Sequence, residues 1–115
     1  MKVKTSELTG PALDWTAALA AGYDEGWLHR QLQRSNPATS AIPRLGSDWA
    51  EAGPIIERER ISVISDFHEI KEGWLAESYQ GNIQQFGPTP LIAAMRCYVA
   101  SKLGEEVEIP EELTA

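Results

Sequence analysis

Thr89-Pro90-Leu91-Ile92-Ala93-Ala94-Met95-Arg96-Cys97-Tyr98-Val99-Ala100-Ser101-Lys102-Leu103-Gly104 is the stretch on which the fold turns. Thr89 offers an oxygen to cap a helix start, Pro90 suits the first helical position because the amide it lacks would find no partner there, and Gly104 fits the left-handed residue that closes a helix. Between these stops Leu91, Ile92, Met95, Tyr98, Val99 and Leu103 fall within an arc of about 140° at 3.6 residues per turn, with Ala93, Ala100 and Ser101 opposite. The pattern predicts a helix with one apolar face, and such a face needs a surface to cover.

The residues upstream supply that surface. Ile61-Ser62-Val63-Ile64-Ser65-Asp66-Phe67 is rich in β-branched residues and alternates at 61, 63 and 67, as a half-buried strand does. A polar turn from His68 to Gly73 leads to a second strand over Trp74 to Tyr79. Gln80-Gly81-Asn82 then turns the chain into a third strand over Ile83 to Phe86. A three-stranded antiparallel meander under the last helix is the economical arrangement. Lys2-Val3-Lys4 reads as a short edge strand, and Val107 with Ile109 as another; either one would make the sheet four-stranded.

Two further helical signals precede the meander. Pro11 and Gly22 bracket Leu8, Ala12, Trp15 and Leu19 at helical spacing, predicting a helix over Gly10 to Ala21. Asp48 with Glu51 three residues on forms a capping pair, and Gly53-Pro54 interrupts the apolar stripe that Trp49 begins. The combination predicts either a kinked helix from Asp48 to Glu59 or two short turns. From Tyr23 to Gly46 the periodicity dissolves around Asn36-Pro37 and Ile42-Pro43, so residues 23–46 read as a long irregular loop, with a short helical turn or strand near Asp24 to Leu32. The expectation is an α+β chain of order (β)-α-α-β-β-β-α, with two to three helices on the meander.

A length of 115 residues allows one core and one domain, 1–115. Residues 105–115 carry five Glu and read as an acidic peripheral tail. No apolar run reaches the roughly 20 residues of a membrane span, and Met1-Lys2-Val3-Lys4 places charge where an export signal needs an apolar core. The single cysteine, Cys97, fits a reducing compartment, so a cytoplasmic home is expected. A net charge of −7 repels phosphate backbones, and the loosest basic grouping, His29, Arg30, Arg34 and Arg44, is sparse.

Several blocks together carry a family likeness. Lys4 to Gly10 with Ala12-Leu13-Asp14-Trp15, then Asp48-Trp49-Ala50, Gly53 to Glu59, and Phe86 to Gly104 resemble the NinX-like family of bacteriophage and prophage proteins. The resemblance spans nearly the whole chain. It implies a place in the accessory nin region of lambdoid-type phage genomes and brings no catalytic residue with it.

The chemistry-bearing residues point away from a reaction centre. Neither His29 nor His68 has a nucleophile and an orienting group placed by sequence, although Asp66 could share a face with His68. One Cys and two His without ligand spacing do not make a zinc site, and Glu57, Glu59, Glu105, Glu106 and Glu108 lack the loop chemistry of a cation site. Gly53-Pro54 and Gly87-Pro88 each put a proline where a phosphate loop would donate an amide. The expectation is a protein that is not an enzyme and holds no cofactor or metal. Its function is predicted to be binding a host or phage protein, or a second copy as a homodimer, through the loop whose ends carry Trp27 and Trp49. The alternative is a nucleic-acid or nucleotide binder in which Arg30, Arg34 and Arg44 touch phosphates.

Overall fold

A computed structural model describes residues 1–33, 41–65 and 73–113 of the chain. The elements run β1 (Lys2–Lys4), α1 (Gly10–Ala20), α2 (Glu25–Leu32), α3 (Trp49–Glu59), β2 (Ser62–Ser65), β3 (Trp74–Glu77), β4 (Gln84–Gly87), α4 (Pro90–Leu103) and β5 (Glu106–Glu108). Strands β2, β3 and β4 form the expected antiparallel meander, and the α+β class holds. Thr89 Oγ1 accepts from the Ile92 amide at 3.1 Å, as a helix cap should.

The helix it caps is not one-sided. Leu91 and every residue from Ala93 to Ala100 are buried, so Ala93 and Ala100, opposite the apolar arc, are as covered as the face that meets the sheet. The reason is position: α4 lies between the meander and α1, with α3 and the 3-10 turn at Thr5–Glu7 also against it. Small residues on the second face let α1 approach, and its Ala17 and Ala18 are buried there. Tyr98 spans the gap, its hydroxyl donating to the Ala20 carbonyl at the end of α1 at 3.3 Å.

The irregular stretch assigned to residues 23–46 contains a helix. Asp24 Oδ2 accepts from the Trp27 amide at 2.8 Å, and Leu28 and Gln31, three residues apart, turn inward. Two turns are too short for periodicity to stand out beside Gly26, and tertiary burial rather than propensity holds them. The loop after it is pinned where described: the Ala41 amide donates to Gln31 Oε1 at 3.1 Å, and Leu45 is buried.

Helix α3 runs through Pro54 as one element from its Asp48 cap, whose Oδ1 accepts from the Ala50 amide at 2.9 Å. Pro54 gives up one amide-to-carbonyl bond of the helix, but the residue before it, Gly53, has no Cβ to crowd the proline ring, which eases the passage while Ala52 and Ile55 reach the core. The helix closes at Arg60 in the left-handed conformation, φ 55°.

The short segments at the two ends pair with each other, not with the meander. β1 and β5 form a separate two-stranded antiparallel sheet in the register Lys2↔Glu108, Val3↔Val107 and Lys4↔Glu106. Thr5, fully buried, donates through Oγ1 to the Gly104 carbonyl at 2.6 Å. The tail expected to be peripheral therefore contributes Val107 and Ile109 to the core. Alternation explains it: Val107 and Ile109 point one way while Glu106 and Glu108 stay in water.

Candidate interaction surface

The described residues singled out by sequence lie on three elements: α2, the loop before α3, and the first turn of α3. Trp27 sits on α2, half-buried against the core, its ring 5.8 Å from that of Tyr23. Arg30 is exposed in the last turn of the same helix, and Arg44 is exposed in the pinned loop. Arg34 lies outside the described residues, as do Asp66 and His68. No ring contact joins Trp27 to Trp49 among the described residues, so the pair does not make one aromatic platform. Trp27 behaves as packing; Trp49 does not.

Trp49 is 56% exposed in the first turn of α3. Beside it lies a shallow cleft of about 300 Å³ lined by Gly46, Ser47, Thr89, Pro90, Leu91 and Ile92 as well as the indole itself. The cleft exists because two helix starts are brought side by side. Asp14 on α1 holds the loop that leads into α3, accepting from the Gly46 amide at 2.8 Å. Gly46 is needed for that approach, since a Cβ there would lie 3.0 Å from Leu13 Cδ2 and 3.2 Å from Asp14 Oδ1. Asp48, which caps α3, and Glu51 in its first turn are exposed. Such a volume admits one side chain and its neighbours, and falls at the floor of the range for small-molecule sites.

Burial pushes the Asp14 carboxyl above the ordinary aspartate value of 3.8, against the opposing pull of the Gly46 amide and the Arg44 charge. A raised folded-state value means the protonated form is favoured by folding: the benefit is complete below 3.8 and is lost as pH rises through the raised value. Asp14→Asn keeps an oxygen for the Gly46 amide and removes the penalised charge. In urea unfolding at a series of pH values, the stability of the variant relative to wild type should therefore rise with pH across that window. Curves that stay parallel would show that Asp14 does not titrate differently on folding.

The remaining candidates for chemistry are placed apart. His29 stacks edge-on against Trp15, with ring centroids 5.4 Å apart, and its Nε2 lies 3.5 Å from Glu25. The Cys97 thiol is buried and directed at the Ile83 carbonyl 3.7 Å away. Burial, and then the charge of Glu77, push its pKa up to about 11, so the thiolate is scarce at neutral pH. Among the described residues no group of three or more His, Cys, Asp or Glu could hold a metal ion. No described helix is long and apolar enough to cross a membrane.

One surface escaped the sequence reading. With α4 on one face of the meander, the register sets Ile64 opposite Leu75 and Leu75 opposite Phe86 on the other face. Ile64 is 47% and Phe86 37% exposed, so an apolar row crosses the open side of the sheet. Alternation alone turns Ile64 outward, but only the pairing register shows that three outward residues align.

Comparison with known proteins locates this architecture. The family model described as bacteriophage P22 NinX matches residues 4–102, which takes in α1 to α4 and the whole meander and leaves out most of the β1–β5 ribbon. No curated protein matches the sequence.

Proposed function

The chain belongs to the bacteriophage P22 NinX family, and from that membership we propose that it is a noncatalytic accessory protein, working in the host cytoplasm by binding a host or phage protein at the Trp49 cleft. The observation that carries this reading is the exposed indole of Trp49 beside the apolar floor formed by Pro90, Leu91 and Ile92. A tryptophan is the side chain with most to gain from burial, and interface anchors are typically aromatic residues seated next to a small pocket. Leaving one in water at a helix start costs free energy that a partner surface recovers. The scatter of His29, Cys97 and the described carboxylates supports the noncatalytic part of the reading.

Arg30 and Arg44 are two single cations on different elements of a chain with net charge −7, which gives phosphate binding no comparable support. Partner and surface are tested together. A tagged wild-type chain and its Trp49→Ala variant would be expressed in host cells infected with a phage of this kind, and the captured proteins identified by mass spectrometry. Trp49→Ala should lose at least one specific protein that wild type retains, while its unfolding free energy changes by less than about 1 kcal/mol, as befits a surface position. Retention of every captured protein by the variant would remove Trp49 from the interface.

A further inference from the structure

We propose that the cleft between the entry to α1 and the terminal β1–β5 ribbon is a second docking site, taking from another protein a segment in which an apolar side chain is flanked by lysine or arginine. The cleft holds about 460 Å³ and shares no lining residue with the Trp49 cleft, so the two surfaces stand or fall separately. Two walls form it. On one side Gly10, left-handed at φ 56°, bends the chain between Leu8 and Ala12. On the other stand Val3 of β1, Ile109 just past β5, and Leu113 in the 3-10 turn Glu111–Leu113. Leu8 and Ile109 are buried, while Val3, Ala12 and Leu113 are half-buried and keep apolar surface for an incoming side chain.

Charge selects the occupant. Glu7 lines the first wall and Glu112 the second, both exposed, and no other charged side chain lines the cleft. Neither carboxylate has an ion-pair or hydrogen-bond partner among the described residues. The neighbouring cations are set against other groups. The ribbon register places Lys2 opposite Glu108 and Lys4 opposite Glu106. The Met1 ammonium donates to the Ile109 carbonyl at 2.9 Å, with Glu108 Oε2 3.2 Å away. Residues 1–12 and 105–113 together carry six glutamates against Lys2, Lys4 and that ammonium.

The cleft is therefore an apolar trough with a carboxylate left over on each wall. A second copy of a chain with net charge −7 is repelled from it, and so is an anionic lipid surface. A cationic segment is drawn in by the same field, and its side chains reach Glu7 and Glu112 once the apolar residue between them is seated.

The probe is a labelled, end-blocked peptide of alternating leucine and lysine, titrated with the full chain and followed by fluorescence anisotropy. Binding should saturate and should weaken as salt is raised. The amide signals that move in a nitrogen–proton correlation spectrum should centre on Val3, Leu8, Ala12 and Leu113. Glu7→Gln with Glu112→Gln should weaken binding roughly tenfold, the scale of two exposed ion pairs, at an unchanged thermal midpoint. Leu113→Ser should weaken it with no change of charge. Glu25→Gln with Glu57→Gln removes the same charge from α2 and α3, outside the cleft, and should bind as wild type does, as should Trp49→Ala. Absence of saturable binding overturns the proposal. So does equal binding of the counterpart peptide with glutamate in place of lysine, equal weakening by the two glutamine pairs, or self-association of the free chain through the same residues.

Discussion

Gly87→Ala is expected to destabilise the protein by about 3 kcal/mol, the upper end of the cost of overfilling a packed interior. A Cβ on Gly87 would lie 2.6 Å from the Ala93 amide nitrogen, 2.9 Å from Ala93 Cα and 3.1 Å from the Ile92 carbonyl carbon. All three are backbone atoms of the first turns of α4, so no rotamer change relieves the clash. Either the last strand of the meander or the central helix has to move, and each is packed against the rest of the core. For a domain of this size, a loss of about 3 kcal/mol lowers the thermal midpoint by roughly 10 °C or more. Gly26→Ala in α2 is the control. Its nearest atoms are the capping Asp24 Oδ2 at 3.2 Å and Arg30 Nη1 at 3.4 Å, both side-chain atoms and neither inside the 3.0 Å at which something must shift. Helix propensity favours alanine there, so that variant should fall within about 0.5 kcal/mol of wild type or above it. Equal midpoints for the two variants would mean that β4 and α4 do not approach backbone to backbone.

Arg96→Met should cost about 2 to 4 kcal/mol although it fills much of the same space. Arg96 is 4% exposed in the middle of α4. Its Nε donates to the Leu8 carbonyl and its Nη1 to the Phe86 carbonyl, each at 2.8 Å. One side chain therefore ties the segment before α1 to the β4 strand through the central helix. Methionine would leave the Leu8 carbonyl buried and the Phe86 carbonyl half-buried without that donor, and an orphaned buried acceptor costs about 1 to 3 kcal/mol. Arg96→Lys should recover less than half of the loss, because a single ammonium cannot present donors in two fixed directions as a guanidinium does. Urea unfolding of the three proteins decides the matter. A methionine variant within about 0.5 kcal/mol of wild type would show that the two bonds are replaced by water at no cost.

Both residues mark where local sequence patterns stop being informative. Arg96 registers in sequence only as an interruption of an apolar run, because its partners, Leu8 and Phe86, are 88 and 10 positions away. Gly87 reads as punctuation before a helix start; its role in close packing depends on how tightly strand and helix meet. The candidate surface divides in the same way. Trp49 stands out in sequence as an aromatic in the first turn of a broken helix, and it is exposed. Trp27 looks equivalent and is packed, because the eight residues of α2, which the sequence leaves open between a helical turn and a strand, fold it against the core. The apolar row of Ile64, Leu75 and Phe86 needs a register that no local pattern specifies.

The sequence by itself determined the features that short-range physics controls: the capped start of α4 at Thr89-Pro90, its end at Gly104, the capped start of α3 at Asp48 and the three strands of the meander. These come from missing amides, side-chain caps and residue alternation, all of which act within a few positions. The tertiary structure alone decided that α4 is covered on both faces, that the two terminal strands pair with each other, and that Trp49 is left in water. Those outcomes depend on which surfaces meet across long stretches of chain, where burial of apolar area outweighs local preference.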